Sequence, residues 1–370
     1  MEELLALLAL LAQEGIGGRQ IRKLREAWGS LEVLWSYQDT APLPSPLRGQ
    51  VSHLAALRKS AEATLRRCET LGIQLIPYYS QAFPPLLEAA SPPPALLFKK
   101  GPHPLIGQPL VAVVGTRKPT AYGLRVTDYF VEKLVEAGVG IVSGLAYGID
   151  AQAHRATLEK GGKTIAVLAH GLERIYPPAH RSLAEAILEG GAWLSEYPPG
   201  VKLHPLHFPY RNRVIAGLAH LTLVIESRQR GGALFTARAA FAMNRPVFAV
   251  PGDIFSPASE GTHNLIAEQV AQIAYEPRLL LEELRWQTQQ LPLSASPPPP
   301  VEQPKPSDPL HAQIYALLEK GLRHVDELCA AMGRSISEIS WALMQMEIEG
   351  WIAQKPGGVI FRVGPPNAIS

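Results

Sequence analysis

Residues 110–154 read LVAVVGTRKPTAYGLRVTDYFVEKLVEAGVGIVSGLAYGIDAQAH, and the fold turns on how this stretch is parsed. Leu110 to Val114 is an apolar run, too short for a helix and rich in β-branched residues, the composition of a strand buried on both faces. Gly115, Thr116 and Arg117 end it. Val126, Phe130, Leu134 and Val135 then recur at helical spacing. A second strand, Val139 to Val142, runs into another glycine turn, Ser143-Gly144-Leu145-Ala146-Tyr147-Gly148, and a second helix begins near Ile149. Strand, glycine turn and helix, repeated, make the βαβ unit of a doubly wound sheet, and such sheets bind ligands at the carboxyl ends of their strands. Backbone N–H groups beside a helix start favour anions, and Arg117 adds a permanent positive charge. The expected ligand carries phosphate.

Working outward, Thr164–Leu168, Trp193–Ser195, Leu221–Ile225 and Val247–Val250 are further short apolar runs, most of them alternating with helical patterns. The expected fold class is α/β, a Rossmann-like doubly wound and mostly parallel sheet over residues 76–284, with Ile73–Tyr78 and Ala95–Lys99 as candidate edge strands. Residues 1–75 read as a helical domain. Within it GIGGRQIRKLREAWGS (Gly15 to Ser30) has the two glycine corners of a SAM-like or helix-hairpin-helix unit, whose amides can hold a phosphate. A bundle corner that needs glycine for close packing explains the same residues. Proline-rich segments follow at 41–46 and 83–94. Residues 285–309, with ASPPPPVEQPKPSDP, form a linker too polar to bury a core. Three helical patterns and two strands around a Pro-Gly-Gly turn make a winged helix of 310–370. Its third helix, with Glu338, Glu347 and Glu349 against Arg334, suits a protein contact or weak DNA binding better than groove reading.

The totals narrow the function. At 370 residues with 46% hydrophobic and 18% charged residues, the chain has room for two or three globular domains. A net charge of +2 provides no global basic field, so nucleic-acid binding requires a local patch. Cys68 and Cys329 are too far apart in sequence to suggest a disulfide framework or a zinc set. No apolar run spans a bilayer, and MEELLALLALLAQEG carries Glu2 and Glu3 where a signal peptide needs basic residues. A cytoplasmic location without membrane association is expected.

Among residues able to carry chemistry, Arg117 and the Arg211-Asn212-Arg213 run, set just before a helical pattern, are the candidate phosphate contacts. Tyr122, Tyr147 and Tyr176 lie in or beside the glycine turns, where rings stack on unpaired bases or simply pack. Asp150 and His154 have base-and-orienter spacing, but no nucleophile is placed to use them; a helix cap and a structural histidine are expected. Glu226, at a strand end, is an acid/base or a hydrogen-bond acceptor. His204 and His207 have no cysteine or carboxylate cluster beside them, so no metal and no cofactor is expected. Lys163-Thr164 mimics the end of a Walker A motif without its first glycine and before a strand, and is discounted.

Taken in order, GTRKPTAYG, SGLAYGIDAQAH, IYPPAH, SEYPPG, FPYRNRVIAGLA, GGALFTARAA, FAVPGDI and GTHNLI closely resemble the DprA/Smf family, the DNA-processing proteins of natural transformation. The resemblance implies a non-enzymatic protein that binds single-stranded DNA without sequence preference, protects it, dimerises and loads the recombinase RecA. It implies that Gly115, Thr116, Arg117, Ser143, Gly144 and the Arg211-Asn212-Arg213 run hold the DNA backbone, with Tyr122, Tyr147 and Tyr176 beside it. It also implies a homodimer contact in Gly261–Ile273, drawing on His263, Leu265, Ile266 and Ile273. Two departures stand out. Pro178 occupies a place that is often basic, leaving Arg174 or Arg181 to supply the charge, and Gly231-Gly232 replaces the usual serine-glycine. The rival expectation is a nucleotide-binding, phosphoribohydrolase-like enzyme of the lysine-decarboxylase-like Rossmann group. That group needs a glutamate after its glycine turn, whereas Glu226 precedes Gly231-Gly232.

Overall fold

The computed structural model describes residues 1–36, 53–290, 308–319, 324–349, 351–355 and 359–362. The proline-rich segment 41–46, most of the expected linker (291–307) and the Pro356-Gly357-Gly358 turn lie outside the described residues. The chain divides into two compact units, Met1–Leu293 and Ser294–Ser370.

The first unit opens with helices α1 (Glu2–Leu11), α2 (Gly18–Trp28) and α3 (Leu54–Thr70). Strands β1 (Gln74–Pro77) and β2 (Leu96–Lys100) lead into β3 (Leu110–Val114), α4 (Ala121–Glu136), β4 (Gly140–Ser143), α5 (Ile149–Glu159) and β5 (Thr164–Val167). Then come α6 (Arg181–Ile187), β6 (Ala192–Ser195), α7 (His207–Leu218), β7 (Leu221–Val224), α8 (Ala233–Ala242) and β8 (Val247–Ala249). Helix α9 (Glu260–Ala267), strand β9 (Gln272–Ile273) and helix α10 (Pro277–Gln290) complete the unit. Every strand expected from the sequence is present, each end within one residue of its expected position. The two-residue β9 is an addition, too short and too polar to register as a strand pattern.

These nine strands form one sheet in the order β1-β2-β6-β5-β4-β3-β7-β8-β9. All pairs from β6 to β9 are parallel; β2 joins β6, and β1 joins β2, antiparallel. Alternation along β3 divides the core. Leu110, Ala112 and Val114 face Val214, Ile215 and Leu218 of α7 and Ala237 of α8. Val111 and Val113 face Phe130 and Leu134 of α4, Ile149 of α5 and Leu280 of α10. The amino-terminal helices share a third core with the sheet, where Leu7, Leu10, Ile21 and Cys68 meet Leu96, Phe98 and Trp193. The α1–α2 corner favours the packing reading of its glycines, because a Cβ on Gly18 would collide with the carbonyl of Pro93.

After β3 the chain winds one way through β4, β5 and β6, then returns to the other side of β3 for β7, β8 and β9. The carboxyl ends of β3 and β7 therefore flank the switch point where doubly wound sheets open a crevice.

The second unit contains α11 (Pro309–Glu319), α12 (Val325–Met332), α13 (Ile336–Ile348) and an antiparallel hairpin of β10 (Ile352–Lys355) and β11 (Val359–Arg362). Ile314, Leu328, Ile339, Leu343, Ile352 and Ile360 fill its core, the layout of a winged helix. Helix α13 exposes Ile336, Trp341 and Met344 beside Glu338.

Candidate nucleic-acid interface

A cleft of about 450 Å³ opens at the switch point. Its floor is Gly115, Thr116 and Arg117 from the β3 turn; its walls are Phe208 and Asn212 of α7, the β7 loop with Arg228 and Arg230, and Phe235 of α8. Four arginines line it against one carboxylate, Asp150. Arg117, Arg228 and Arg230 are exposed, and among the described residues none of them has a carboxylate within 4.0 Å. The Arg117 guanidinium stands 5.8 Å from the centre of the Phe208 ring, and the Tyr176 ring lies tilted to that ring with 6.0 Å between centroids. Gly232 precedes α8 with no side chain capping the helix, so the positive end of its dipole opens into the same space.

The local sequence explains this shape. A Cβ on Gly115 would run into Ile149 at the start of α5, so the tight exit from β3 requires glycine. Thr116 donates its N–H to the Glu226 carbonyl at 2.7 Å, tying the β3 and β7 loops together. Glu226 itself is buried. Its carboxylate accepts from the Thr120 N–H (2.9 Å) and the Thr120 hydroxyl (2.5 Å), and Thr120 in turn accepts from Gly123 at the start of α4. Both oxygens thus fix a helix start, the acceptor alternative of the two the sequence left open.

The Arg-Asn-Arg run divides. Arg211 is 5% exposed, and its Nη1 donates to the carbonyls of Gly144 (2.7 Å) and Val167. Arg213 turns away from the cleft and chelates Glu196 through Nη2, with both N–O distances 2.7 Å. Burial raises the Glu196 carboxyl, and Arg213 opposes that shift. Asn212 accepts from Arg211 and donates to the Gly232 carbonyl at 3.3 Å, bridging α7 to the start of α8.

The profile of the DNA recombination-mediator protein A family matches residues 74–285, and that of the DprA winged helix domain matches 296–358. The chain belongs to the DprA/Smf family. It is 39% identical over 317 residues to Protein Smf of Escherichia coli, covering 85% of this chain and 84% of that one. It is 37% identical over 262 residues to DNA processing protein DprA of Bacillus subtilis, covering 68% of this chain and 88% of the relative. The solved structure of DNA processing protein A from Streptococcus pneumoniae aligns with a TM-score of 0.65 at 34% identity, over 75% of this chain and 97% of its own. The Helicobacter pylori protein, described for its single-stranded DNA binding mode, gives 0.53 at 27% identity, over 58% and 96%.

The remaining expected residues of this DprA/Smf chain scatter more widely. Ser143 is buried and donates to the Val113 carbonyl at 2.6 Å, and Gly144 is buried beside Arg211. Tyr147 is half exposed and packs edge-on against His180 at 4.8 Å. Tyr122 lines a neighbouring cleft of about 650 Å³ with Asp253 and Ser256, its hydroxyl donating to Pro251 at 2.7 Å. Arg174 is exposed but paired with Glu173 at 2.8 Å. Asp150 is the second residue of α5, yet it holds the preceding turn rather than the helix's own amides. His154 is wholly buried with Nδ1 2.7 Å from Thr164, a structural histidine. Thr164 starts β5, consistent with discounting the Walker A mimic.

In the expected dimer segment, Leu265 is 1% exposed within the chain's own core, while Ile266 packs half-buried above it. Ile273 is exposed on edge strand β9, and His263 points its Nε2 at Gly252. Sequence reasoning missed Arg228, Arg230, Phe208 and Phe235. The first two follow the β7 strand run directly, in IESRQRGG, and their position at the switch point was the available signal.

Proposed function

We propose that the chain is a non-enzymatic binder of single-stranded DNA, and that the cleft of Arg117, Arg228 and Arg230 grips the strand. One observation supports this above the rest: three exposed arginines, with no carboxylate partner among the described residues, line one cleft together with aromatic rings at the switch point. The exposed charge is of one sign, and the lining amide and carboxylate, Asn212 and Asp150, are bonded to protein groups, which favours backbone contact over sequence readout. Phe208 and Phe235 provide surfaces on which any base can stack. A stiff duplex, whose bases are already stacked inside, gains nothing from those rings.

The same reading makes the protein a cytoplasmic homodimer that protects incoming strands and delivers them to RecA. Exposed Ile273 on edge strand β9 and half-buried Ile266 are the face we assign to the second copy, Leu265 supporting it from beneath. Two clefts on one strand would raise apparent affinity through effective concentration. Among the described residues no helix is long and apolar enough to cross a membrane. The hydrolase alternative depends on a free acid at Glu226, whose two oxygens are already bonded to Thr120.

The test is fluorescence anisotropy of labelled oligothymidine and of a duplex across a salt series. Binding of the single strand should fall steeply with salt, and Arg117→Ala should reduce the log–log slope by about 0.7, one phosphate's worth. Equal affinity for the duplex, or a slope that Arg117→Ala leaves unchanged, would count against the assignment. For the dimer, Ile273→Asp should sediment as a monomer with the fold intact.

A further inference from the structure

We infer that Arg211 and Asp150 are positioning residues, a buried charged clamp that sets the shape of the cleft without touching DNA. The inference rests on the reading of the cleft as a single-stranded DNA site. Its geometry is internal. Beyond the end of a parallel strand, the last carbonyls have no ladder partner and need another donor. Arg211 supplies it twice, through Nη1, to Gly144 after β4 and to Val167 at the end of β5. Asp150 works on the opposite side of the same turn: its Oδ2 accepts from the N–H of Gly144 (3.2 Å) and of Ala146 (3.4 Å).

The peptide groups of Gly144 are therefore held from both directions, carbonyl by the guanidinium and N–H by a carboxyl oxygen. A Cβ at Gly144 would lie 2.6 Å from the guanidinium carbon, so only glycine admits the arginine. Asn212 extends the clamp, accepting from Arg211 Nε at 3.1 Å while it donates to Gly232 at the start of α8. Arg211 thereby links α7, the β4 turn and β5, and through Asn212 the start of α8; of these, α7, the β4 turn and α8 border the cleft. Nη1 and Nε of Arg211 face protein acceptors, which leaves only Nη2 of the fork for a phosphate. Burial pulls the guanidinium down to about 10 and raises the Asp150 carboxyl, each opposed by the other's charge. Arg211 stays cationic at neutral pH.

A phosphate contact and a positioning role give different signatures. If Arg211 positions, Arg211→Met should lower single-strand affinity tenfold or more with the salt slope unchanged, since no counterion-releasing contact is lost. Arg211→Lys should not restore binding, because one ammonium lacks the planar fork. Gly144→Ala, which keeps every charge and displaces the guanidinium, should reproduce the loss. Amide exchange at Gly144 and Ala146, measured without DNA, should quicken in Arg211→Met and Asp150→Asn and stay slow in Arg117→Ala. A slope reduced by about 0.7 in Arg211→Met and recovered by Arg211→Lys would make Arg211 a phosphate contact and overturn the inference. Wild-type affinity in Gly144→Ala would overturn it as well, and that variant decides the matter if Arg211→Met does not fold. Failure of the wild type to bind single strands would instead remove the DNA reading, leaving the exchange result to judge the clamp alone.

Discussion

Arg211 and Arg213 stand on the second turn of α7 and face inward; Arg117, Arg228 and Arg230 stand on loops beside the same strand ends and face outward. The inward pair is consumed by the protein, one on carbonyls and one on Glu196. The outward three meet solvent. A helix imposes phase on its residues, so a side chain on the core stripe must be satisfied there or cost several kcal/mol. A loop residue at a strand end has no such obligation and can keep its charge for a ligand. Residue type alone therefore says little about role here; the backbone element that carries the residue says most.

The largest expected effect tests the inward side. Arg213→Met leaves the largely buried Glu196 without its cation and should cost up to about 3–5 kcal/mol of unfolding free energy, read by urea titration. Adding Glu196→Gln should recover most of it. The folded fraction should bind single strands with the wild-type salt slope; a lower slope would move Arg213 to the outward group.

The ring between the two groups comes next. Phe208→Ala should weaken single-strand binding by roughly 1–3 kcal/mol on every sequence alike. On an abasic strand the loss should vanish while that of Arg117→Ala persists. Equal losses on both strands would mean that Phe208 only props Arg117.

Acid should separate folding from binding. His154 is buried, and burial lowers it to about 3 from 6.5. The folded state then binds fewer protons than the unfolded chain between those values. Its contribution is full above about pH 6.5 and is lost as pH falls toward 3, at up to about 1.4 kcal/mol per pH unit. Melting temperatures should fall on acidification, less so in His154→Gln. Single-strand affinity of the folded protein should stay flat from pH 8 to 6.5, because guanidinium charge does not titrate there. An affinity that tracks the melting curve would place a histidine in the interface.

Much of this was legible in the sequence, for a physical reason. Leu110–Val114 is apolar on both faces and ends in a glycine that only a tight exit explains, so period, length and turn agreed on one structure. Arg117 was legible because it sits on that exit. Arg211 was not, since nearness to a helix start was weighed and helix phase was not. Arg211, Ile215 and Leu218 fall at i, i+4 and i+7, the stripe that enters the core. Leu265 misled similarly, because an apolar residue reads the same whether a second copy or its own sheet covers it.

The smallest expected effect belongs to Arg230, and it tests the outward side most sharply because sequence reasoning passed that residue over. It is exposed on the β7 loop and lines the cleft with Gly231 and Gly232. Arg230 is exposed and forms no ion pair among the described residues, so Arg230→Ala should change the unfolding free energy by no more than about 0.5 kcal/mol. Binding should weaken uniformly across sequences, and the log–log salt slope should drop by about 0.7. Combined with Arg117→Ala, the slopes should add, since two separate phosphates release their counterions independently. A double variant with the slope of Arg117→Ala alone would place Arg230 beyond the strand's path and narrow the grip to the β3 side of the switch point.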